Sequence, residues 1–170
     1  MTNAMTENPD YSRLYPPGPT PGDEICSCPG NPPIKLMDAL GYNPIHCINC
    51  NLEVRPESLQ IETKLIESIA NWRKLHAAIY WLWLDSGEYE EWATSQLQNI
   101  HSQVNTRGRT IQRELNKIRR CYYYYFQDTI EAGRPPISNC PDCGKGVNVR
   151  TSRIGPVLVC EACSIVAQGS

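Results

Sequence analysis

The sequence predicts a mainly α-helical protein with a small amount of β structure, in which a long antiparallel helical hairpin is flanked at one end by two four-cysteine ribbons. Three observations lead to this fold class. Eight of the nine cysteines in the 170-residue chain occur in four close pairs. Two long central stretches have apolar residues at the three- and four-residue spacing of amphipathic helices. Only a short helix-breaking run separates these stretches, which favours an antiparallel pair.

The N-terminal segment, residues 1–24, is predicted to be a disordered, proline-rich tail. It contains five prolines and two glycines, a composition that extends the chain and cannot fill a hydrophobic core.

The first cysteine segment spans residues 25–55. It is rich in turn formers, such as the run Pro29-Gly30-Asn31, and it offers few apolar residues for packing. A segment of this kind needs a cross-link or a metal ion in order to fold.

The helical hairpin is predicted for residues 56–131, and its first helix spans residues 56–84. Pro56 suits the first turn of a helix because it lacks the amide proton that would be unpaired there. The apolar stripe of this helix includes Trp72. The run Asp85-Ser86-Gly87 ends it.

The second helix of the hairpin is predicted for residues 88–131 and ends before Gly133. Gly108 is expected to weaken or kink it. The aromatic run at residues 122–126 lies within this helix in the prediction, beside the first cysteine segment. Because the second cysteine segment follows that run directly, both cysteine segments are expected at the same end of the hairpin.

The second cysteine segment spans residues 137–166. Cys140-Pro-Asp-Cys143-Gly is followed after 16 residues by Cys160-Glu-Ala-Cys163. Two cysteines separated by two residues can direct both sulfurs at one ion from a tight turn, and the apolar residues between the pairs predict a short strand pair that brings the second turn back. This is the pattern of a four-cysteine zinc ribbon.

The first cysteine segment has a less regular pattern, because one residue instead of two separates Cys26 from Cys28. Its second pair is His46-Cys47-Ile-Asn-Cys50. Four-sulfur ligation is the preferred reading, and ligation in which His46 replaces one cysteine is the alternative. The chain therefore predicts two structural Zn²⁺ ions, with ligands Cys26, Cys28, Cys47, Cys50, Cys140, Cys143, Cys160 and Cys163.

A complete shell of four sulfurs leaves no position for water or substrate, whereas catalytic zinc sites keep one position open. The sequence also lacks a recognisable nucleophile–histidine set or a phosphate-binding glycine loop. We therefore expect a protein that is not an enzyme.

Basic residues are unevenly distributed. Residues 1–100 have 6 Lys and Arg against 13 Asp and Glu, whereas residues 101–170 have 10 against 5. Clustered Lys and Arg can neutralise phosphates and nearby tyrosines can stack on bases, although pairing with acidic residues is an equally ordinary role. The candidate nucleic-acid-binding residues are Arg107, Arg109, Arg113, Lys117, Arg119, Arg120, Arg150 and Arg153.

The cysteine motifs, together with the Trp72 to Trp83 helix, resemble a bacterial family of zinc-ribbon-containing proteins of unknown function, described as possible nucleic-acid-binding proteins. The resemblance covers roughly residues 24–165. It implies two zinc ribbons and a contact with nucleic acid.

Taken together, the sequence favours a non-enzymatic adaptor that binds a protein partner, for example as an immunity protein, an inhibitor or a complex subunit. Binding of nucleic acid is the alternative. The chain has no apolar run long enough to span a membrane and no visible secretory signal, so a cytoplasmic location is expected. The long apolar stripe of the second helix leaves room for a homodimer.

Overall fold

The structure is a computed structural model that describes residue 11 and residues 20–38, 40–128 and 135–169. Most of the tail predicted for residues 1–24 lies outside the described residues, as do the last three residues of the predicted second helix.

The predicted fold class is wrong, because the architecture is built on a six-stranded mixed sheet and not on a long helical hairpin. The helices pack on one face of this sheet. In the described residues, the helices are α1 (Thr63–Asp85), α2 (Glu90–Gln98) and α3 (Gln103–Ile118), and the strands are β1 (Ile34–Leu36), β2 (Ile45–Cys47), β3 (Cys121–Tyr124), β4 (Asn148–Ser152), β5 (Gly155–Cys160) and β6 (Ile165–Gln168).

The sheet joins the two cysteine segments into one layer. Its strand order is β2-β1-β3-β6-β5-β4. The β1–β2 and β4–β5–β6 units are antiparallel, and β3 joins them by pairing parallel with both β1 and β6. The sheet is strongly curled, since the Arg153 amide in the β4–β5 turn donates to the Asn49 carbonyl oxygen beyond β2 at 2.8 Å.

The aromatic run was predicted as helix, but its first three residues lie in the central strand β3. Aromatic side chains fit a pleated sheet, and here they find apolar partners on both faces. Tyr123 faces the helices and donates a 2.7 Å hydrogen bond to Oδ1 of Asn105, whereas Tyr122 faces away from them and packs with Ile48 and Val159.

The predicted second helix is broken between α2 and α3. The amide of Asn105 donates to Oγ of the N-cap residue Ser102, and its side-chain Nδ2 donates to the carbonyl oxygens of Leu97 and Asn99 at the end of α2. These bonds satisfy backbone groups that the break would otherwise leave unpaired. The local polar residues therefore override the continuous apolar stripe.

The main core lies between the helices and the sheet. Trp72 is 2% exposed, and its Nε1 donates to the carbonyl oxygen of Val104 at 3.1 Å. Gly108 does not interrupt α3, which runs through it. Instead, Gly108 lies so close to Trp72 and Tyr123 that a Cβ at this position would meet both rings at under 3.0 Å. No helix in the described part of the chain is long and apolar enough to cross a membrane.

Candidate metal centres

The four sulfurs predicted for each site come together in the structure. In each group, the ligand atoms all lie within 4.8 Å of one another. The two groups are Cys26, Cys28, Cys47 and Cys50, and Cys140, Cys143, Cys160 and Cys163. His46 belongs to neither group among the described residues, and its ring Nδ1 instead lies 2.9 Å from the carbonyl oxygen of Asn51.

The first site is held by β2 and by the segments before β1 and after β2. Cys47 is the last residue of β2, and Cys50 lies in the turn that follows. The amide of Cys26 donates to the carbonyl oxygen of Glu53 at 2.8 Å, which ties the Cys26–Cys28 turn to the chain just beyond Cys50. The segment before β1 is thus joined to the segment after β2.

The second site lies at the other end of the sheet order. Cys160 is the last residue of β5, and Cys163 lies in the turn before β6. Cys140 and Cys143 lie in the turn that precedes β4, closed by a 2.7 Å hydrogen bond from the Cys140 amide to the carbonyl oxygen of Lys145. The strand pair β4–β5 returns the chain from one cysteine turn to the other, as expected for this segment.

One sulfur pair of the second site has the separation expected around a tetrahedral zinc ion. Sγ of Cys143 lies 3.8 Å from Sγ of Cys160, and two sulfurs each 2.3 Å from a tetrahedral zinc ion are about 3.8 Å apart. A disulfide requires a separation of about 2.05 Å. All eight of these cysteines are free thiols, so the geometry is that of metal ligands.

The backbone of each Cys-x-x-Cys turn has a conformation that suits metal ligation. The residue after the second cysteine has a left-handed conformation in all three such turns, at Asn51 (φ 63°), Gly144 (φ 70°) and Ser164 (φ 52°). The amide of Asn49 also points at Sγ of Cys47, at 3.4 Å. Amide groups aimed at sulfur stabilise the thiolate that a metal ion requires.

The thiols within a group differ in acidity. The backbone amide of Lys145, followed by the side chain of Cys163, lowers the pKa of Cys143 to about 7. Burial raises the pKa of Cys163, and burial likewise raises the pKa of Cys50 in the first group. Four thiolates packed together repel one another, so a divalent cation is what allows all four to be ionised at neutral pH.

Glu53 is a buried residue that the sequence analysis missed. Its carboxylate accepts hydrogen bonds from the amide of Tyr42, from Nδ2 of Asn43 at 2.8 Å and from Oγ1 of Thr20 at 2.7 Å, and it is 3% exposed. It fastens the loop between β1 and β2 beside the first site. The only sequence signal was an acidic residue between Leu52 and Val54.

Lys35 is a second residue that the sequence analysis missed. It lies at the centre of β1, is 1% exposed, and holds its Nζ 5.1 Å from the centre of the Tyr124 ring. Burial lowers its pKa to about 8, while the negative charge of Cys47 and Cys50 acts in the opposite direction. Lys35 is therefore a buried basic residue whose charge interacts with the thiolates of Cys47 and Cys50. A lysine between apolar residues in one short strand does not indicate from the sequence that its side chain is buried.

Arg109, a predicted nucleic-acid-binding residue, is engaged by the second site. Its guanidinium donates to both carboxylate oxygens of Asp142, at 2.9 and 2.6 Å. Asp142 lies between Cys140 and Cys143, so this bidentate pair ties the cysteine turn to α3.

Arg120 and Arg150 are brought together by one acidic residue. Their guanidinium groups lie 2.8 and 3.0 Å from the two carboxylate oxygens of Glu161. Arg120 also stacks on the ring of Tyr122, whose hydroxyl donates to the same carboxylate at 2.8 Å. The ring and the hydroxyl of Tyr122 thus both make contacts within the protein.

The remaining candidate basic residues either make other contacts or are exposed. Lys117 pairs with Glu114 at 2.6 Å, and Nε of Arg119 donates to the carbonyl oxygen of Pro32 at 2.7 Å. The last three are exposed: Arg107, Arg113 and Arg153.

The fold and the two sites define the class of this protein: a mixed-sheet protein with two four-cysteine groups positioned to hold metal ions. A comparison with protein-family models finds no match, and neither a curated protein nor a solved structure shows significant similarity to the chain. The resemblance to a zinc-ribbon family therefore stays a prediction.

Proposed function

We propose that this protein is a non-enzymatic module in which two structural Zn²⁺ ions hold a curled sheet in shape for binding to a partner protein. The observation that carries the proposal is the closure of each site by four sulfurs within 4.8 Å of one another. A tetrahedral ion bound in this way has no position left for water or substrate, which favours a structural role over catalysis.

Zinc fits the donor set best among common ions. Four thiolates select soft or borderline metals, and the 3.8 Å sulfur separation matches tetrahedral zinc. Lys35 would offset part of the net negative charge of the first site, and the Arg109–Asp142 pair would hold the second site against α3. The ions would supply cross-links to two segments that are poor in apolar residues.

A protein partner is favoured over nucleic acid because most of the candidate basic residues already make contacts within the chain. Five of the eight candidates contact acidic side chains or a backbone carbonyl oxygen. A phosphate would have to compete with the bidentate contact of Arg109 and the shared contact of Glu161 with Arg120 and Arg150. Electrostatic binding to a phosphate backbone depends on free cations, each of which releases a counterion.

Native mass spectrometry with metal analysis of protein purified from its own host tests the proposal. We expect two zinc ions per chain and one protein bound in fixed stoichiometry after nuclease treatment. Cys50→Ser and Cys163→Ser should each retain one zinc, while Cys121→Ala is the matched control and should retain two. A folded chain without zinc would contradict the metal assignment.

Nucleic acid is tested in parallel by titrating salt against binding to single- and double-stranded oligonucleotides. The proposal predicts that oligonucleotides bind only weakly, through the exposed residues Arg107, Arg113 and Arg153. Tight binding with a steep dependence on salt, together with an eluate that contains nucleic acid and no protein, would overturn the assignment of a protein partner.

A further inference from the structure

The exposed large hydrophobic residues are concentrated at the end of the α1–α2 pair. Eight large hydrophobic residues are exposed in the described part of the chain, and half of them fall within residues 81–92. We call these four the aromatic apex: Trp81 (54% exposed), Leu84 (45%), Tyr89 (53%) and Trp92 (50%).

The aromatic apex is not part of the core. Trp72 and Trp83, the other two tryptophans, are 2% and 7% exposed, and they point from α1 into the core together with Ile79. Trp81 follows Ile79 by two residues, which places it on the opposite side of the helix. The core is therefore complete without the apex, and these side chains are free to contact another molecule.

The apex is large enough to matter for binding. Three aromatic side chains that are each about half exposed present on the order of 300 Å², since a fully buried aromatic side chain covers 150–250 Å². The largest apolar patch on a typical monomer is of this size and is often functional. All four residues lie in the last turns of α1, the connection and the first turn of α2, so they share one end of the helix pair.

The sequence around the apex is acidic. The 32 residues from 75 to 106 contain four acidic residues and no Lys or Arg. All four acidic side chains belong to exposed residues in or beside the apex: Asp85, Glu88, Glu90 and Glu91.

We propose that the aromatic apex is a docking surface for a basic segment of a partner protein, one that carries apolar side chains among its Lys and Arg residues. This inference rests on the proposed protein-binding function and adds the surface and the chemistry of the partner. The tryptophans would form the buried centre of the contact, where such residues contribute most of the binding free energy. The acidic rim would attract and orient the basic segment and repel nucleic acid.

The test uses the zinc-loaded full chain and two synthetic amphipathic peptides of equal length. One peptide has Lys and Arg on its polar face, and the other has Glu at the same positions. The indole N–H resonances of the four tryptophans, assigned from single Trp→Phe variants, report where each peptide binds. We expect the cationic peptide to shift the resonances of Trp81 and Trp92 and to leave that of Trp72 unchanged, because Trp72 donates to Val104 within the core.

Variants separate the two components of the surface. Trp81→Ala combined with Trp92→Ala should weaken binding of the cationic peptide at least tenfold, whereas Val149→Ala with Ile154→Ala, which removes exposed apolar groups elsewhere, should not.

The acidic rim is tested with an equal change of charge in two places. Glu88→Gln, Glu90→Gln and Glu91→Gln together should weaken binding at least fivefold. The control changes Asp23, Glu24 and Glu62, which are also exposed, to their amides. Equal binding of the two peptides, or equal effects of the two charge variants, would overturn the proposal.

Two further outcomes are decisive. If sedimentation velocity shows a dimer that the Trp81→Ala, Trp92→Ala variant loses, a second copy of the chain occupies the apex and the proposal is wrong. If the variant retains the partner recovered from the host, the docking surface is wrong while the protein-binding function stands. Absence of any partner, with selective binding of the cationic peptide, would refute the function and support the surface.

Discussion

Gly108→Ala is expected to destabilise this protein, although the same change in an ordinary helix is stabilising. Gly108 lies inside α3, and alanine is favoured over glycine in a helix by about 1 kcal/mol. Here a Cβ at Gly108 would lie under 3.0 Å from Cε2 of Tyr123 and 2.7 Å from Nε1 of Trp72. Atoms in good van der Waals contact are about 3.5–4.0 Å apart.

Neither ring can move away from an added Cβ without losing a hydrogen bond and packing contacts. Both are almost fully buried, and each makes a hydrogen bond that fixes it: Trp72 to the carbonyl oxygen of Val104 and Tyr123 to Asn105. Overpacking of a tight core lowers the free energy of unfolding by about 1–3 kcal/mol. We expect a loss of about 3 kcal/mol here, because the Cβ would meet two fixed rings. After the gain in helix propensity of about 1 kcal/mol, the net loss is about 2 kcal/mol. For a chain of this size, Tm should fall by roughly 4–8 °C.

Thermal and urea denaturation of the zinc-loaded proteins, followed by circular dichroism, measure this loss. Gly22→Ala is the matched control, because no heavy atom lies within 4 Å of its added Cβ and its φ is not positive; it should be nearly neutral. A Gly108→Ala protein as stable as the wild type, or more stable, would refute the close approach of α3 to Trp72 and Tyr123. That result would instead match a simple helical hairpin.

Three further predictions concern buried polar groups. Asn105→Asp should lower the free energy of unfolding by about 3 kcal/mol or more, because the two protons of Asn105 Nδ2 are shared among three nearby backbone carbonyl oxygens, to which a carboxylate cannot donate; a loss below about 1 kcal/mol in urea denaturation would contradict this. Lys35→Met should weaken zinc binding at the first site by about 10–100-fold and leave the second site unchanged, as measured by chelator competition; equal losses at both sites would exclude the proposed charge compensation. Burial raises the pKa of Tyr123 from its ordinary value of 10.0, so the unfolded chain ionises first and the free energy of unfolding should fall as pH rises above about 10. Tyr123→Phe should show a shallower fall over the same alkaline range, and identical slopes would rule out this tyrosine as the cause.

The cysteine groups were predictable because their geometry is local. Two residues between cysteines direct both sulfurs to one side of a turn, so spacing alone paired Cys140 with Cys143 and Cys160 with Cys163. The apolar residues between these pairs also predicted the strand pair β4–β5 that brings the two turns together.

The central strand was not predictable in the same way. Tyrosine side chains can pack in the apolar stripe of a helix or on the face of a strand. The helical periodicity of the preceding residues favoured the helix. What decides for the strand is pairing: Tyr123 lies between Leu36 of β1 and Ile165 of β6. Those partners are about 85 residues before it and about 40 residues after it, beyond the reach of any local pattern.

The break between α2 and α3 also depends on a contact that the local sequence pattern does not show. Asn99 and Ser102 are ordinary capping residues, but the apolar stripe continues across them and hides the break. The side chain of Asn105 makes the break stable, because it binds the end of α2 and, through Tyr123, the sheet.

From the amino-acid sequence alone, one can derive which eight cysteines form two groups and why such groups suit a metal ion, since both follow from short-range backbone geometry. The joining of the two groups through one sheet, the pairing of Arg109 with Asp142 and the burial of Lys35 beside the first site all arise from contacts between distant segments. Such contacts form only when the whole chain has collapsed around β3, where hydrogen bonds to both neighbouring strands and packing on both faces outweigh the local preference for helix.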